Sequence, residues 1–344
     1  MSRLLGSRGG SFDPRYTSAA ELLFYLGRGL VKDAGNPIFA KGTASAWDDF
    51  AVRELTPVVD ELGHVVTEAD GIWAYYWGRP DGGAGTFQIG LAKSTDNGVA
   101  WTRYGSNPII SPAGTSWYET SVSQPSTVKR SDGTRVMLAG GGDVGGISSI
   151  GCFTSPDGLA WTDAGQKLVL TDFLDGATPI TQIGVPNLIK RSSGDWLVIV
   201  EARLTAVTNG WRVWGATATN PAGTWTVLNS GQPLLSPTGS DWESVGVANA
   251  HVIETRPSEY LMAYNGIGSV SPNWQIGFAT STNLTTWTRH VGNPVLSKGA
   301  SGAWDDQQTE VDALVKEPYS GTLRLYYQGY SAVDGSMQVG LAVA

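Results

Sequence analysis

The chain has 344 residues, of which 31 are acidic and 23 basic, so its formal net charge is −8. This balance argues against nucleic acid as a partner, no stretch approaches the ~20 apolar residues of a membrane-spanning helix, and the single cysteine excludes an internal disulfide. Glycine (45) and tryptophan (14) are abundant, which favours many short strands joined by tight turns.

Residues 1–29 precede the repeat that organises the rest of the chain, and we predict that they form an N-terminal arm. Their apolar run, residues 22–26, is too short for a secretory signal and is interrupted by Tyr25. Two interpretations of the arm stay open, a flexible extension or lid and a segment that docks into a larger assembly. Without a signal, we expect the protein in the cytoplasm or in an assembly such as a virion.

From residue 30 to residue 344, three short tags recur about every 60 to 70 residues. The first reads STDNGVAWT at residues 94–102, and its degraded copies place tryptophans 60, 64 and 62 residues apart, at Trp101, Trp161, Trp225 and Trp287. The second is Asn-Pro followed by an aliphatic residue, as at Asn36. The third is Trp followed by an acid, as at Trp47. Together the tags count five repeats.

Each repeat contains four β-rich runs separated by turn residues, and no helical periodicity of comparable strength is present. Four strands in each of five repeats predict an all-β, five-bladed β-propeller over residues 30–344. The fifth repeat stops after its third strand. Residues 30–32, before Asn36, are predicted to supply the missing fourth strand and close the ring, which removes exposed sheet edges.

The first tag matches the Asp-box pattern of sialidase-like propellers, and its chemistry is structural. Asp96 can bond the amides of its own turn, Gly98 permits a positive φ, and Trp101 can be buried between blades. A residue type kept in every repeat supports the scaffold. Functional residues are therefore expected at positions where the repeats differ.

The repeats differ at one rim, where the first strands start and the second strands end. The rim carries polar, acidic and aromatic residues: Arg53, Glu54, Trp77, Gln124, Gln182, Glu201, Asn249, His251, Asn265, Glu310, Asp312 and Gln328. Such a rim suits a ligand rich in hydroxyl groups. Glycan or polysaccharide binding is accordingly predicted for a subset of them: Arg53, Trp77, Gln124, Asn249, His251 and Asp312.

The blade pattern resembles the five-bladed-propeller glycoside hydrolases, which include the arabinanase and xylosidase, invertase and mannoside phosphorylase groups. The resemblance implies a carbohydrate substrate and two catalytic carboxyl groups, an Asp base or nucleophile in the first blade and a Glu acid in the third, with a supporting Asp in the second. Here these would be Asp49 or Glu54, and Glu201. The chain departs from the family pattern because the inner strands of the second and third blades, near residues 121–128 and 183–189, contain no acid.

This incomplete catalytic set leaves two hypotheses open. The first is a carbohydrate-recognising, glycosidase-like propeller that acts through rim carboxylates. The second is a non-catalytic structural or receptor-binding protein of a larger particle, such as a phage virion or its tail, docked through residues 1–29. No cofactor and no metal-ligand spacing is predicted. Rim carboxylates and carbonyls offer ligands for an axial Ca²⁺ ion, although no motif requires one.

Overall fold

The computed structural model describes residues 30–80, 86–114, 116–143, 146–176, 178–205, 207–239, 241–270, 272–317, 323–333 and 335–343. The predicted N-terminal arm, residues 1–29, lies outside the described residues. Within the described ranges the chain forms twenty-two β-strands and three 3₁₀ turns, so the predicted all-β class is confirmed. No helix in these ranges is long and apolar enough to cross a membrane.

The strands are short and have either two residues or seven to eleven residues. In chain order they are β1 (Val31–Lys32), β2 (Ala51–Pro57), β3 (Val59–Asp60), β4 (Thr67–Glu68), β5 (Gly71–Arg79), β6 (Gln88–Ser94), β7 (Thr102–Arg103), β8 (Ser121–Lys129), β9 (Arg135–Asp143), β10 (Gly146–Ser155), β11 (Thr162–Val169), β12 (Ile180–Lys190), β13 (Trp196–Leu204), β14 (Trp211–Ala218), β15 (Thr226–Val227), β16 (Gly246–Arg256), β17 (Glu259–Ile267), β18 (Gln275–Ser281), β19 (Thr288–Arg289), β20 (Gln308–Lys316), β21 (Leu323–Tyr330) and β22 (Met337–Val343). The 3₁₀ turns are Leu170–Asp172, Asn229–Gly231 and Asp241–Glu243.

The strands pair as antiparallel meanders. Two sheets have four strands each, β12 to β15 and β16 to β19, and a third contains β8 to β11 with β3 added in parallel. The remaining sheet holds β2, β5, β6 and β7 together with β20, β21 and β22, joined by one parallel pair, Ala51 with Met337. In that sheet β1 pairs antiparallel with β22, with Val31 opposite Val343. This series of four-stranded units is consistent with a propeller-like fold.

The tryptophan of the Trp-acid tag packs on two glycines, which explains both sequence features. A methyl group built on Gly90 would lie 2.8 Å from the rings of Trp47 and Tyr76, and one on Gly78 would lie 2.9 Å from Trp47. The same packing recurs in three further repeats, at Trp117 with Gly141 and Gly151, Trp242 with Gly266 and Gly277, and Trp304 with Gly329 and Gly340. The tag is therefore architectural in these repeats.

The acid of the same tag ties the outer strand to its sheet. Asp48 is buried, accepts a hydrogen bond from the Tyr76 hydroxyl (3.0 Å) and pairs with Arg103 on β7 (2.7 Å). Equivalent trios are Glu243 with Tyr264 and Arg289, and Asp305 with Tyr327 and Lys32. In the last trio the cation is on β1, so the N-terminal strand makes the contact that β7 makes in the first repeat.

The turn at residues 94–102 is organised by its own side chains. Ser94 Oγ accepts from the Gly98 amide (2.8 Å), and Asp96 Oδ1 accepts from the Ala100 amide (2.9 Å). The Tyr326 hydroxyl donates to the Gly98 carbonyl (3.0 Å) from another repeat. These contacts give the turn a structural role that links neighbouring repeats.

A Gly90→Ala substitution tests the tryptophan–glycine packing. Because the new methyl group would overlap two buried rings, we expect the free energy of unfolding to fall by about 1–3 kcal/mol. Chemical denaturation measures the change. Gly105→Ala is the matched control, since nothing lies within 4 Å of its added methyl group. Equal stability of the two variants would contradict the packing explanation.

Candidate functional site

A cavity of about 290 Å³ lies where the first strands of several repeats start. We call it the central cavity. Its polar lining comes from Arg53, Glu54, Gln124, Glu201, Asn249, Gln308 and Glu310. The structure thus brings together five residues that the sequence analysis predicted for the site, and it adds Gln308 and Glu310.

Backbone bulges position three of these side chains. Glu54 in β2, Gln124 in β8 and Asn249 in β16 have positive φ angles of 43°, 58° and 44°, each at a break in the strand register. Val185 in β12 has the same feature, with a φ of 46°. Bulges and left-handed non-glycine residues concentrate where a side chain must be redirected, often at functional sites.

Side chains from neighbouring repeats hold these bulges. The Glu54 amide donates to Asp312 Oδ1 (3.0 Å), and the Asn249 amide donates to Glu201 Oε2 (2.8 Å). The Val185 amide donates to Gln124 Oε1 (3.0 Å). Each contact crosses from one repeat to the next. The residues that line the cavity therefore also fix the relative positions of the repeats.

Glu310 is the centre of the hydrogen-bond network. Its carboxylate accepts from Arg53 Nη2 (3.2 Å), Asn249 Nδ2 (3.2 Å) and Gln328 Nε2 (3.1 Å), and also from Gln308 Nε2. The sequence analysis placed Glu310 on the rim but not among the predicted site residues. Its position two residues before Asp312 on one inner strand was a usable signal.

Burial keeps other carboxyl groups of this cluster protonated to a higher pH than usual. Burial, with the charges of Glu310 and Glu54, raises the pKa of Glu201 to about 8. Burial, with the charge of Glu310, raises the pKa of Glu54 to about 7 against the opposing effect of Arg53. Burial and the charge of Glu54 also raise the pKa of Asp312 well above its usual value. The cluster therefore holds protons near neutral pH.

Arg53 occupies the middle of these acids. Its Nε donates to Gln328 Oε1, its Nη2 lies 3.6 Å from Glu54 Oε1, and its guanidinium lies 5.3 Å from the Trp77 ring. Burial acts to lower the pKa of Arg53, but Glu54, Glu310 and two further carboxylates raise it overall. Arg53 is thus the cation around which the acids are arranged.

Asp49, predicted as a catalytic residue, is not brought to the cavity. Its Oδ2 accepts from the Ser45 amide (2.6 Å) four residues earlier. Asp306 accepts from the Gly302 amide in the same way in the fifth repeat (2.8 Å). The repeat of this contact gives Asp49 a turn-stabilising role, which a carboxylate next to a Trp tag does not reveal from sequence alone.

Three predicted ligand-binding residues also lie off the cavity lining. Trp77 is buried behind Arg53 and packs on Phe87, with ring centroids 4.7 Å apart. Asp312 is fully buried behind Glu54. His251 lines a separate cavity of about 30 Å³, contacts Asn187 Nδ2 (3.3 Å), and has its pKa lowered to about 3 by burial. Trp77 and Asp312 thus contact cavity-lining residues from behind, whereas His251 belongs to the separate cavity.

The aromatic residues that line the cavity are Trp211 and Trp274, which the sequence analysis did not select. Both are half-buried. Trp211 begins β14, and Trp274 directly precedes β18. The sequence signal that points to them is an aromatic residue at the start of a third strand. The predicted rim comprised only the starts of first strands and the ends of second strands. Across the described residues, no group of three His, Cys, Asp or Glu side chains is arranged to hold a metal ion.

No family model and no curated protein matches the sequence. Several solved structures are similar to this chain. A glycosyl hydrolase from Bacteroides ovatus is 17% identical with a TM-score of 0.66, covering 91% of this chain and 93% of that chain. A β-1,2-mannobiose phosphorylase from Listeria innocua is 13% identical with a TM-score of 0.64, covering 91% and 96%. The chain therefore has a fold similar to that of glycoside hydrolase-like proteins.

The raised pKa values predict how stability depends on pH. Because Glu201 binds its proton more tightly when folded, its contribution is fully present below the unfolded pKa of about 4.5 and is lost as pH rises to about 8. Each such group contributes a slope of at most about 1.4 kcal/mol per pH unit. We expect Glu201→Gln to flatten the fall in unfolding free energy between pH 5 and 8, measured by denaturation at each pH.

Glu61→Gln is the control for this experiment. Glu61 pairs with Lys190 (2.9 Å), and its pKa is lowered, so it titrates below the tested range. We expect it to leave the slope unchanged. An unchanged slope in Glu201→Gln would show that Glu201 is already ionised at pH 5.

Proposed function

We propose that the five repeats form a five-bladed ring over residues 30–344, closed by β1. The contacts of Asn36 support closure. Its side chain donates to the Leu341 carbonyl (2.9 Å) and accepts from the Leu341 amide (2.8 Å). Asn107 makes the same pair of bonds with Leu91 in the first repeat, at 2.8 Å each.

A circuit of contacts between successive inner regions supports a ring. Besides the three bulge contacts, Asn265 Oδ1 accepts from the Val311 amide (2.8 Å) between the fourth and fifth repeats. Thr56 Oγ1 donates to the Pro125 carbonyl (2.6 Å) between the first and second. Together with the bond from Glu54 to Asp312, each repeat contacts the next and the fifth contacts the first.

We propose further that the protein is a carbohydrate-binding, glycosidase-like propeller whose ligand occupies the central cavity. The observation that carries this proposal is that Glu54 and Glu201 are both buried in the lining of one cavity that two tryptophans also line. Indole rings pack against the apolar faces of sugars, and carboxyl and amide groups bond their hydroxyls. The similarity to glycoside hydrolases supports the same reading at the level of fold.

The two carboxyl groups suit acid-assisted cleavage of a glycosidic bond. Glu201, protonated at neutral pH, would donate its proton to the departing glycosidic oxygen. Glu54 has a lower pKa, so near pH 7 a fraction is ionised and would stabilise positive charge at the anomeric carbon. Arg53 and Glu310 would hold the two acids in place. Asp49 has no part in this proposal.

The alternative hypothesis of a virion protein depends on residues 1–29, which lie outside the described residues. The comparisons give it no support, since the similar structures reported above are carbohydrate-active proteins. The side chains observed around the central cavity favour the hypothesis of an enzyme-like binding cavity.

Asn36→Ala tests closure of the ring. Loss of both bonds to Leu341 is expected to lower the free energy of unfolding by about 1–3 kcal/mol. Asn107→Ala removes the matched pair of bonds inside the first repeat and should cost a similar amount. Chemical denaturation compares them. A neutral Asn36→Ala beside a destabilising Asn107→Ala would contradict closure by the N-terminal strand.

Glu201→Gln tests the catalytic proposal. Release of reducing sugar from a panel of polysaccharides and oligosaccharides should fall at least a hundredfold, because proton donation by a positioned acid contributes about 10²–10⁴-fold. Glycan binding, followed by tryptophan fluorescence, should persist. Glu61→Gln, which changes a carboxyl outside the cavity, should keep full activity. Hydrolysis by Glu201→Gln at the wild-type rate would exclude Glu201 as the acid.

A further inference from the structure

We infer that the central cavity selects its ligand by charge: it admits neutral and positively charged sugars and excludes anionic ones, inorganic phosphate included. Water, rather than phosphate, is then the molecule that accepts the glycosyl group when the glycosidic bond is cleaved. This inference rests on the proposed function, which it deepens by naming the class of substrate and acceptor. Because one structurally similar protein is a phosphorylase, the choice between water and phosphate matters here.

Acidic side chains outnumber basic ones around the cavity. Three carboxyl groups line it, from Glu54, Glu201 and Glu310, and Asp312 lies directly behind Glu54. Arg53 is the one basic residue among the described residues that line it. An anion entering this space would meet carboxyl groups from several repeats and a single cation.

That single cation is already engaged. A free guanidinium is a good bidentate ligand for phosphate or a carboxylate. The Arg53 guanidinium instead donates to Gln328 and Glu310, lies 3.6 Å from Glu54 and stacks on Trp77. Binding phosphate would require Arg53 to leave these partners while the displaced carboxylates remained beside the anion.

Two of the three amide side chains that line the cavity already donate to the Glu310 carboxylate. The side-chain N–H groups of Asn249 and Gln308 point to Glu310. In contrast, neither carboxyl oxygen of Glu54 receives a hydrogen bond from any described residue, although the side chain is buried. The Glu54 carboxyl group therefore has unused acceptor capacity, which the hydroxyl or ammonium groups of a sugar can fill, whereas a phosphate anion would place further negative charge beside it.

The resulting reaction is balanced as a hydrolysis. The bond between the anomeric carbon and the glycosidic oxygen breaks, and that oxygen receives the Glu201 proton. A water oxygen bonds to the anomeric carbon, and its proton passes to ionised Glu54. No other reactant is needed.

The experiment compares four probes by tryptophan fluorescence titration at pH 7: glucosamine, glucose, glucuronic acid and inorganic phosphate. We expect glucosamine and glucose to bind, glucosamine at least tenfold more tightly than glucuronic acid, and phosphate not at all. Binding of glucosamine should release protons from Glu54 and Glu201, because its positive charge stabilises their ionised forms. The titratable and charged groups that face the cavity or lie directly behind it are Arg53, Glu54, Glu201, Glu310 and Asp312.

Variants locate the selectivity. Glu54→Gln should reduce the glucosamine preference at least threefold, and Asp312→Asn should reduce it in the same direction by less. Glu61→Gln should leave it unchanged. Circular dichroism confirms that each variant is folded.

The outcomes separate the two proposals. Binding of phosphate, or of glucuronic acid as tightly as glucosamine, would overturn the charge inference and leave the carbohydrate site standing. Failure of all three sugars to bind would count against the proposed function itself. Equal selectivity in wild type and Glu54→Gln would show that the charge of Glu54 does not set it.

Discussion

The centre of the molecule is organised by the need to satisfy buried backbone N–H groups at the bulges of the inner strands. A strand that bulges withdraws its amide from the sheet, and a buried amide without a partner is costly. Here the partners are polar side chains from neighbouring repeats, as in the bonds from Glu54 to Asp312 and from Asn249 to Glu201. This requirement makes the centre polar and forces carboxyl groups into a buried space.

Because of this constraint, positions that repeat in every unit and positions that differ between units have different roles. Contacts that recur, such as Trp47 on Gly78 and Gly90, stabilise each sheet and use residues that do not line the cavity. Divergent residues meet at the centre, where Glu310 accepts hydrogen bonds from residues of three repeats and Arg53 lies among the acids. Burial raises the pKa of Glu54, Glu201 and Asp312. The tryptophan–glycine packing and the cavity lining use different residues, although the cavity-lining residues also hold neighbouring repeats together.

Much of this arrangement could be predicted from the sequence because periodicity reports directly on repeated strands. Comparing repeats identified Glu54 and Glu201 as rim residues, and the structure brings them to one cavity. The choice between Asp49 and Glu54 could not be made, since only the turn geometry shows that Asp49 caps its own loop. Trp77 was selected for its aromatic ring, but side-chain packing, which strand position does not encode, buries it behind the cation.

The central claim is that these side chains form a sugar-binding cavity, and a crystal structure with a bound neutral oligosaccharide tests it most directly. The account predicts a sugar ring between Trp211 and Trp274, with Glu201 within hydrogen-bond distance of a glycosidic oxygen and Arg53 still bonded to Glu310. A sugar bound elsewhere on the molecule, with the central cavity closed by its own side chains, would contradict it.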